Sequence, residues 1–462
     1  MTPAQPTFDD KYQRARAVSG CAQDAPATAP PAVPREQLRL RCVDRERVVP
    51  IPARLEALLP ADHLARLIWA AVLRLDLTAF YAPLVVVIGG PGQAATDPQI
   101  LVALWLYATS QGVTSARALN DLCVAHLAYI WLCGGVTLNY HTLSDFHTDH
   151  VTALDALLTQ VLGCLDHAGL IAYEQTAQDG MRVRASAGAA SFRREATLEK
   201  CLAAAEAAVT ALTAAAEPAD GAPRSVASQA ARERAATERV AQLEAALAEL
   251  PAVQAAKAAD KQAEARVSTT DPEARVMKMP DGGFRPAYNF EFATDTAHLV
   301  IVGVDVTNAG SDKAEMAPMI PQEQERCAQL PKDWLVDGGF VSAAALENAA
   351  DQGVRVLAPV PKPKDPTRDP ALPLATDSPV IAAWRSRMAT EEAKATYKLR
   401  AATSECVNAQ ARSQHGLLQL RVRGLAKALA VALWIAITHD LLIWLRHQTA
   451  PPGSTAALPA AT

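Results

Sequence analysis

Residues 175–187 read QTAQDGMRVRASA. Met181, Val183 and Ala185 alternate with Arg182, Arg184 and Ser186, the period-two pattern of a strand with one buried face. Asp179 and Gly180 stand at the head of that alternation. Asp-Gly pairs are ordinarily turns. On a strand the same pair has another use, because glycine leaves room for a ligand to approach the backbone beside a carboxylate. The rest of the chain has to decide between the two.

The chain has 462 residues, enough for two or three domains, and half of it is apolar. Alanine supplies much of that content, which favours helix. A formal net charge of -5 does not announce a nucleic-acid partner, so any such surface must be local. Eight cysteines are scattered with no Cys-x-x-Cys pair, and no histidine spacing completes a zinc site. They read as reduced thiols of a cytoplasmic protein. The first residues, MTPAQPTFDDKYQRARA, lack an apolar core, so no signal peptide is expected. The apolar run ALAVALWIAIT (428–438) is about half the roughly 20 residues a membrane span requires. It reads as a buried core helix, with no membrane partner.

Residues 1–48 read as a disordered leader, with DAPATAPPAVP at 24–34. Residues 49–170 read as an all-helical domain. Asp62 is a candidate N-cap ahead of an apolar face of Leu64, Leu67, Ile68, Ala71 and Val72. Asp97-Pro98 starts a second helix. Gly112 ends a helix, Ser115 caps another, and Thr142 or Ser144 opens a long one. Short helices with a glycine turn are compatible with a helix-turn-helix, but the same turn geometry is commoner in ordinary bundles. His141, His147 and His150 lack a clean metal spacing.

A helical hairpin is expected as an insertion over about 190–275. Leu198, Leu202, Ala205, Val209 and Leu212 recur at three and four, and Val240, Leu243, Leu247 and Leu250 repeat the spacing. Its basic residues alternate with acids, as on a solvated face. After it come two strands, 284–292 and 299–306, and a helix from Ser311 with Asp312 as a first-turn charge. A short strand ends at Asp337-Gly338, a helix runs from Ser342 to Gly353, and another strand covers 354–360. A proline-rich linker (361–379) leads to helices that carry Glu405. The pattern is an α/β sheet flanked by helices. Carboxylates at the ends of neighbouring strands, with a third from a packed helix, suit two divalent cations and in-line phosphoryl displacement. Asp305, mid-strand, is a rival carboxylate.

Four blocks in order resemble the DDE transposases of bacterial insertion sequences. They are LLPADHLARLI (58–68), QDGMRVRASAG (178–188), the run 282–319 leading to WLVDGGF (334–340), and the run 384–428. The last is similar to the family's tyrosine, arginine, glutamate and basic-residue signature, here Tyr397, Arg400, Glu405 and Arg412. Cys406 and Asn408 stand where the family more often has a proline or bulky residue and an aromatic. His147 stands where arginine is frequent.

The resemblance implies a ribonuclease H-like catalytic domain over 171–462, built on a mixed sheet, and a helical DNA-binding domain over 49–170. It implies Asp179, Asp337 and Glu405 as catalytic metal ligands for two Mg2+ ions, with Mn2+ as a substitute. Tyr397 and Arg400 would orient the DNA end, and Arg412 would meet backbone phosphate. The implied partners are the terminal inverted repeats and target DNA, with two copies of the chain holding two ends. The implied location is the bacterial cytoplasm, at the nucleoid. Two alternatives remain open: an inactive DNA-binding remnant and a stand-alone ribonuclease H-like nuclease.

Overall fold

The computed structural model describes residues 54–85, 94–214, 223–362 and 369–449. The expected leader, the helix break at Pro218 and Gly221, and the middle of the proline-rich linker lie outside the described residues.

The helical region comprises α1 (Leu64–Val72), α2 (Thr78–Tyr81), α3 (Pro98–Ser110), α4 (Ala116–Ala125), α5 (Leu127–Cys133), α6 (Tyr140–Thr148) and α7 (Val151–His167). Asp97 caps α3 through the Gln99 amide at 2.9 Å, with Pro98 in the first turn, and Ser115 caps α4. Two starts differ from expectation. His63, not Asp62, takes the α1 cap, its Nδ1 accepting from the Ala65 amide. Asn139 opens α6 by accepting from the Thr142 amide at 3.0 Å, and the long helix begins only at Val151. An amide side chain three residues upstream out-competes Thr142, which is already inside the first turn.

The sheet follows, with β1 (Gln175–Arg184) near its centre. Next come β2 (Phe192–Arg193), α8 (Glu195–Ala214), α9 (Pro223–Ala255) and β3 (Val267–Ser268). The two helices form the expected hairpin around a small separate core of Leu198, Leu243, Ala246 and Leu250. Pairing of β2 with β3 closes its base. The chain then adds β4 (Arg275–Lys278), β5 (Phe284–Asp295), β6 (Ile301–Thr307), α10 (Met316–Cys327), β7 (Asp333–Leu335), α11 (Ala343–Asp351) and β8 (Arg355–Leu357). It ends with α12 (Pro379–Ala389), α13 (Glu391–Ser413) and α14 (Leu425–Thr449).

The strand order is β4-β5-β1-β7-β8, with β6 also paired to β5. Strands β1, β5 and β6 run antiparallel, whereas β7 and β8 run parallel to β1. The result is a mixed sheet, with a register shift at Ala293/Thr294 of β5. Residues paired across strands share a face. One face carries Ala177, Leu335 and Leu357 against Ala393, Met388 and Tyr397. The other carries Thr176, Gln178, Asn289 and Glu291, all buried. Polar atoms placed there need partners.

Glu323 of α10 supplies one. The Thr176 hydroxyl donates to both its carboxyl oxygens, at 3.2 and 3.0 Å. Burial pushes the Glu323 carboxyl up to about 8, against the lowering effect of Thr176. The unfolded chain ionises this group near its ordinary value of about 4.3, so folding at neutral pH takes up a proton. The resulting penalty is absent below the unfolded value, grows as pH rises, and is complete above about 8. Glu323→Gln should therefore gain stability relative to the parent as pH rises from 5 to 8, by an amount on the order of a few kcal/mol. Urea titrations at several pH values would measure it, and a pH-independent difference would contradict the account.

Helix α14 ties the helical region to the sheet. Its apolar run is long enough to cross a membrane by length and composition, but 83% of it is buried inside the protein. It packs on α3, α6 and α7 as well as on β6. Trp434 Nε1 donates to the His147 carbonyl at 3.0 Å, and the Asp440 carboxylate accepts from the Ile301 amide at 2.9 Å. One continuous apolar core thus runs from Leu59 to Leu445. Buried residues on both sides of the expected boundary near residue 170 belong to that core.

Candidate active site

Asp179 lies mid-strand in β1, opposite Phe292 of β5, so the turn reading of Asp-Gly does not apply. On its other side β1 pairs with β7, in register Ala177 to Leu335. Continuing the parallel register by two residues brings Asp337 beside Asp179 on the face that α13 covers. The short β7 stops at Leu335, and the chain then turns through Gly338 and Gly339. The Asp337 carboxylate accepts from the Gly339 amide at 2.7 Å, which fixes it at the strand end.

Helix α13 supplies the cation. Arg400 Nη2 donates to Asp179 Oδ1 at 2.8 Å and lies 3.7 Å from Asp337 Oδ2. Two turns further along, Asn408 Nδ2 donates to Asp179 Oδ2 at 3.2 Å. Positions eight apart fall on one side of a helix. Burial raises the Asp179 carboxyl above its ordinary value, Arg400 opposes that, and the neighbouring Asp337 and Asp312 charges add to it.

Gly180 is where the backbone must stay bare. A methyl group there would meet Glu291 Oε1 at 2.5 Å, Asp312 Oδ1 at 2.9 Å and Asn289 Nδ2 at 3.0 Å. The space over Gly180 is thus filled by an acidic network from the opposite face. Asn289 Nδ2 bridges Glu291 at 2.7 Å and Asp312 at 2.6 Å. Gln178 Nε2 donates to Glu291 at 3.2 Å. Burial, with Asp312 beside it, raises the Glu291 carboxyl well above the ordinary range. Asp312 is not in a helix: α10 begins at Met316, and Asp312 sits in the loop before it, facing Arg182 at 3.5 Å. The expected helix start at Ser311 fails because the Asp312 side chain is drawn to the sheet. Asp305 pairs with Glu291, which pairs with Gly180, so it belongs to this second face and not to that of Asp179.

Of the expected site residues, Asp179, Asp337 and Arg400 come together. Tyr397 is half-buried one turn before Arg400, against Ala177, Leu335 and Leu357, and burial raises its hydroxyl. Glu405 is exposed and Arg412 half-buried on α13, and among the described residues neither side chain makes a hydrogen bond or ion pair. Among the described residues no three His, Cys, Asp or Glu side chains converge as a metal site. Glu405 and Asn408 are three apart, so they are neighbours on the helix surface with Cβ atoms about 5–6 Å apart. Sequence reasoning missed Glu291, Asn289 and the reach of Asp312. Only the pairing register shows that Glu291 faces Gly180.

Two family models match the chain. The first is described as a transposase domain (DUF772) and covers residues 53–149, most of the helical region. The second is described as a transposase DDE domain and covers residues 375–442, which includes Tyr397, Arg400, Glu405 and Arg412. Together they support a DDE transposase of insertion sequences. No curated protein and no solved structure matches the chain.

Proposed function

We propose that the chain is a metal-dependent DDE transposase that binds the inverted repeats of its element, cleaves the DNA there and joins the freed 3′ hydroxyl to target DNA. The observation that carries this reading is the meeting of Asp179 and Asp337 on adjacent parallel strands at one guanidinium nitrogen of Arg400. Two carboxylates already matched to one positive centre fit a divalent cation. Mg2+ is commonly held by one or two carboxylates, with water and substrate phosphate completing the shell. Four strands in antiparallel ladders (β1, β4, β5 and β6) and two, β7 and β8, parallel to β1, with carboxylates on β1 and at the end of its parallel neighbour, support a ribonuclease H-like sheet.

In this reading Asp179 and Asp337 hold Mg2+, or Mn2+ in its place, and Glu405 is the third ligand of a two-ion site, one side chain from Asn408. The bound cation supplies an activated water and charge neutralisation at phosphorus. Arg400 and Asn408 orient the Asp179 carboxylate from opposite ends. Tyr397, Arg400 and Arg412 meet the DNA end. Hydrolysis breaks the P–O3′ bond at the element end. In the second displacement the 3′ oxygen forms a new bond to target phosphorus and expels a target 3′ oxygen. Two ends require two copies of the chain, acting in the bacterial cytoplasm at the nucleoid.

The exposure of Glu405 favours one second reading, an inactive DNA-binding remnant. Incubating the full chain and Mg2+ with a labelled duplex bearing the element end separates the readings. Cleavage at the end, abolished when the metal is chelated, is expected. Binding without cleavage would leave the remnant, and equal cutting of unrelated duplex would leave a stand-alone nuclease.

A further inference from the structure

Two stretches of the chain carry arginine or lysine and no acid at all. Residues 180–194 contain Arg182, Arg184, Arg193 and Arg194, and residues 406–439 contain Arg412, Arg421, Arg423 and Lys427. Forty-nine Asp and Glu residues are spread over the rest of the chain, so two acid-free stretches of this kind form a local cationic reserve in an acidic protein.

The fold brings the two together. Arg184, the last residue of β1, forms a parallel bridge with Gln419. The Leu420 amide donates to the Arg184 carbonyl at 2.8 Å, and Gln419 Nε2 donates to the Ala185 carbonyl at 3.4 Å. The segment between α13 and α14 is thereby stitched to the end of the strand that carries Asp179. Arg184, Arg421, Arg423 and Lys427 are all exposed, and none makes an ion pair among the described residues. Two carboxylates stand beside this segment. Asp271, buried, accepts from the Tyr288 hydroxyl at 2.6 Å and the Gly424 amide at 3.2 Å and feels the Arg423 charge, and Glu273 accepts from the Leu425 amide at 2.9 Å, so both cap the first turn of α14.

The helical region has the opposite balance. Residues 54–170 contain four arginines and no lysine against nine Asp and Glu. Such a region offers phosphate little attraction.

We propose that the seam of Arg184, Arg421, Arg423 and Lys427 is the surface that grips the phosphate backbone of duplex DNA beside the cleaved bond, in place of the acidic helical region. The inference rests on the transposase reading and adds where the duplex lies. Asp179 and Arg184 are five residues apart on one strand, about 17 Å at roughly 3.4 Å per residue, and the odd spacing turns their side chains to opposite faces of the sheet. The seam therefore lies at the end of β1, flanking the site and not on the face that holds Asp179.

The test measures binding of the full chain to a labelled duplex of about 30 base pairs, without divalent metal, over a range of salt. Removing one side chain that neutralises a phosphate should make the slope of log affinity against log salt shallower by about 0.9. The combined change Arg184→Ala, Arg421→Ala and Arg423→Ala should lower the slope by about 2.7. The matching lysine replacements, which keep the charge, should leave it near the parent value. Arg421→Ala alone, at an exposed turn, lowers the slope by about 0.9 if the triple variant does not fold. An unchanged slope in a folded alanine variant, with the parent binding and cutting normally, overturns this inference alone. A parent chain that binds no duplex overturns it together with the transposase reading.

Discussion

Asp337→Asn is expected to lower metal-dependent DNA cleavage by about a thousandfold or more, with folding unchanged and duplex binding equal or tighter. A thousandfold corresponds to about 4 kcal/mol of transition-state stabilisation. The asparagine keeps the shape and can still accept from the Gly339 amide, the hydrogen bond that fixes this side chain at 2.7 Å. What it removes is one of the two negative charges that meet at Arg400. With one charge left, Arg400 satisfies Asp179 fully, and a divalent cation is deprived of half its carboxylate donors. Removing a negative charge from a site that must admit phosphate lowers repulsion, which is why binding should not suffer. Asp179→Asn should impair cleavage to the same degree. It carries a second effect, because it also relieves a buried carboxyl whose ionisation burial disfavours, so a gain in stability at neutral pH should accompany it. Single-turnover cleavage with Mg2+ measures both variants. Cleavage within tenfold of the parent in either would sink the metal-ligand assignment. Glu405→Gln in the same assay asks whether the exposed glutamate joins the pair, and parental rates there would remove it from the ligand set.

How much of this was legible beforehand depends on whether a feature is local or paired. Period-two alternation around Asp179 gave the strand, and the spacing of the 384–428 block placed Arg400 on a helix. The register between β1 and β7 is implied by neither, yet it is what sets Asp337 beside Asp179. The same holds for Glu291: within β5 it alternates with Phe290 and Phe292, and only pairing with Gly180 shows that its carboxyl fills the space a side chain would need. Helix starts failed where two polar side chains competed for one turn, as with Asn139 over Thr142 and His63 over Asp62. Asn408 was visible as a departure from the family pattern, but its meaning was not. An amide there can donate to Asp179 at 3.2 Å, which an aromatic side chain without a polar hydrogen cannot do.

Trp434→Ala should cost about 3–5 kcal/mol and should loosen the helical region and the sheet together. Trp434 is wholly buried near the middle of α14 and is among the largest fully buried side chains. Its ring lies 6.3 Å from Phe146 and 6.1 Å from His147, which is itself stacked on Trp105 at 3.9 Å. Removing the indole leaves a cavity between α14 and α6 and strands the His147 carbonyl, which now accepts from Nε1 at 3.0 Å. A buried carbonyl without a partner adds about 1–3 kcal/mol to the cavity cost. Burial lowers the His147 imidazole to about 3, so that ring stays neutral and cannot make up the deficit by charging. Five and six residues further on, His439 and Asp440 of the same helix hold the Leu299 carbonyl just before β6 and the Ile301 amide at its start. A helix that slips at Trp434 therefore pulls on β6, and through β5 on β1 and Asp179. Hydrogen exchange should rise in α3, α6 and α7 and in β5 and β6 alike, within one cooperative urea transition. Faster exchange confined to the helices, or a cost below about 1 kcal/mol, would show that the two parts fold separately.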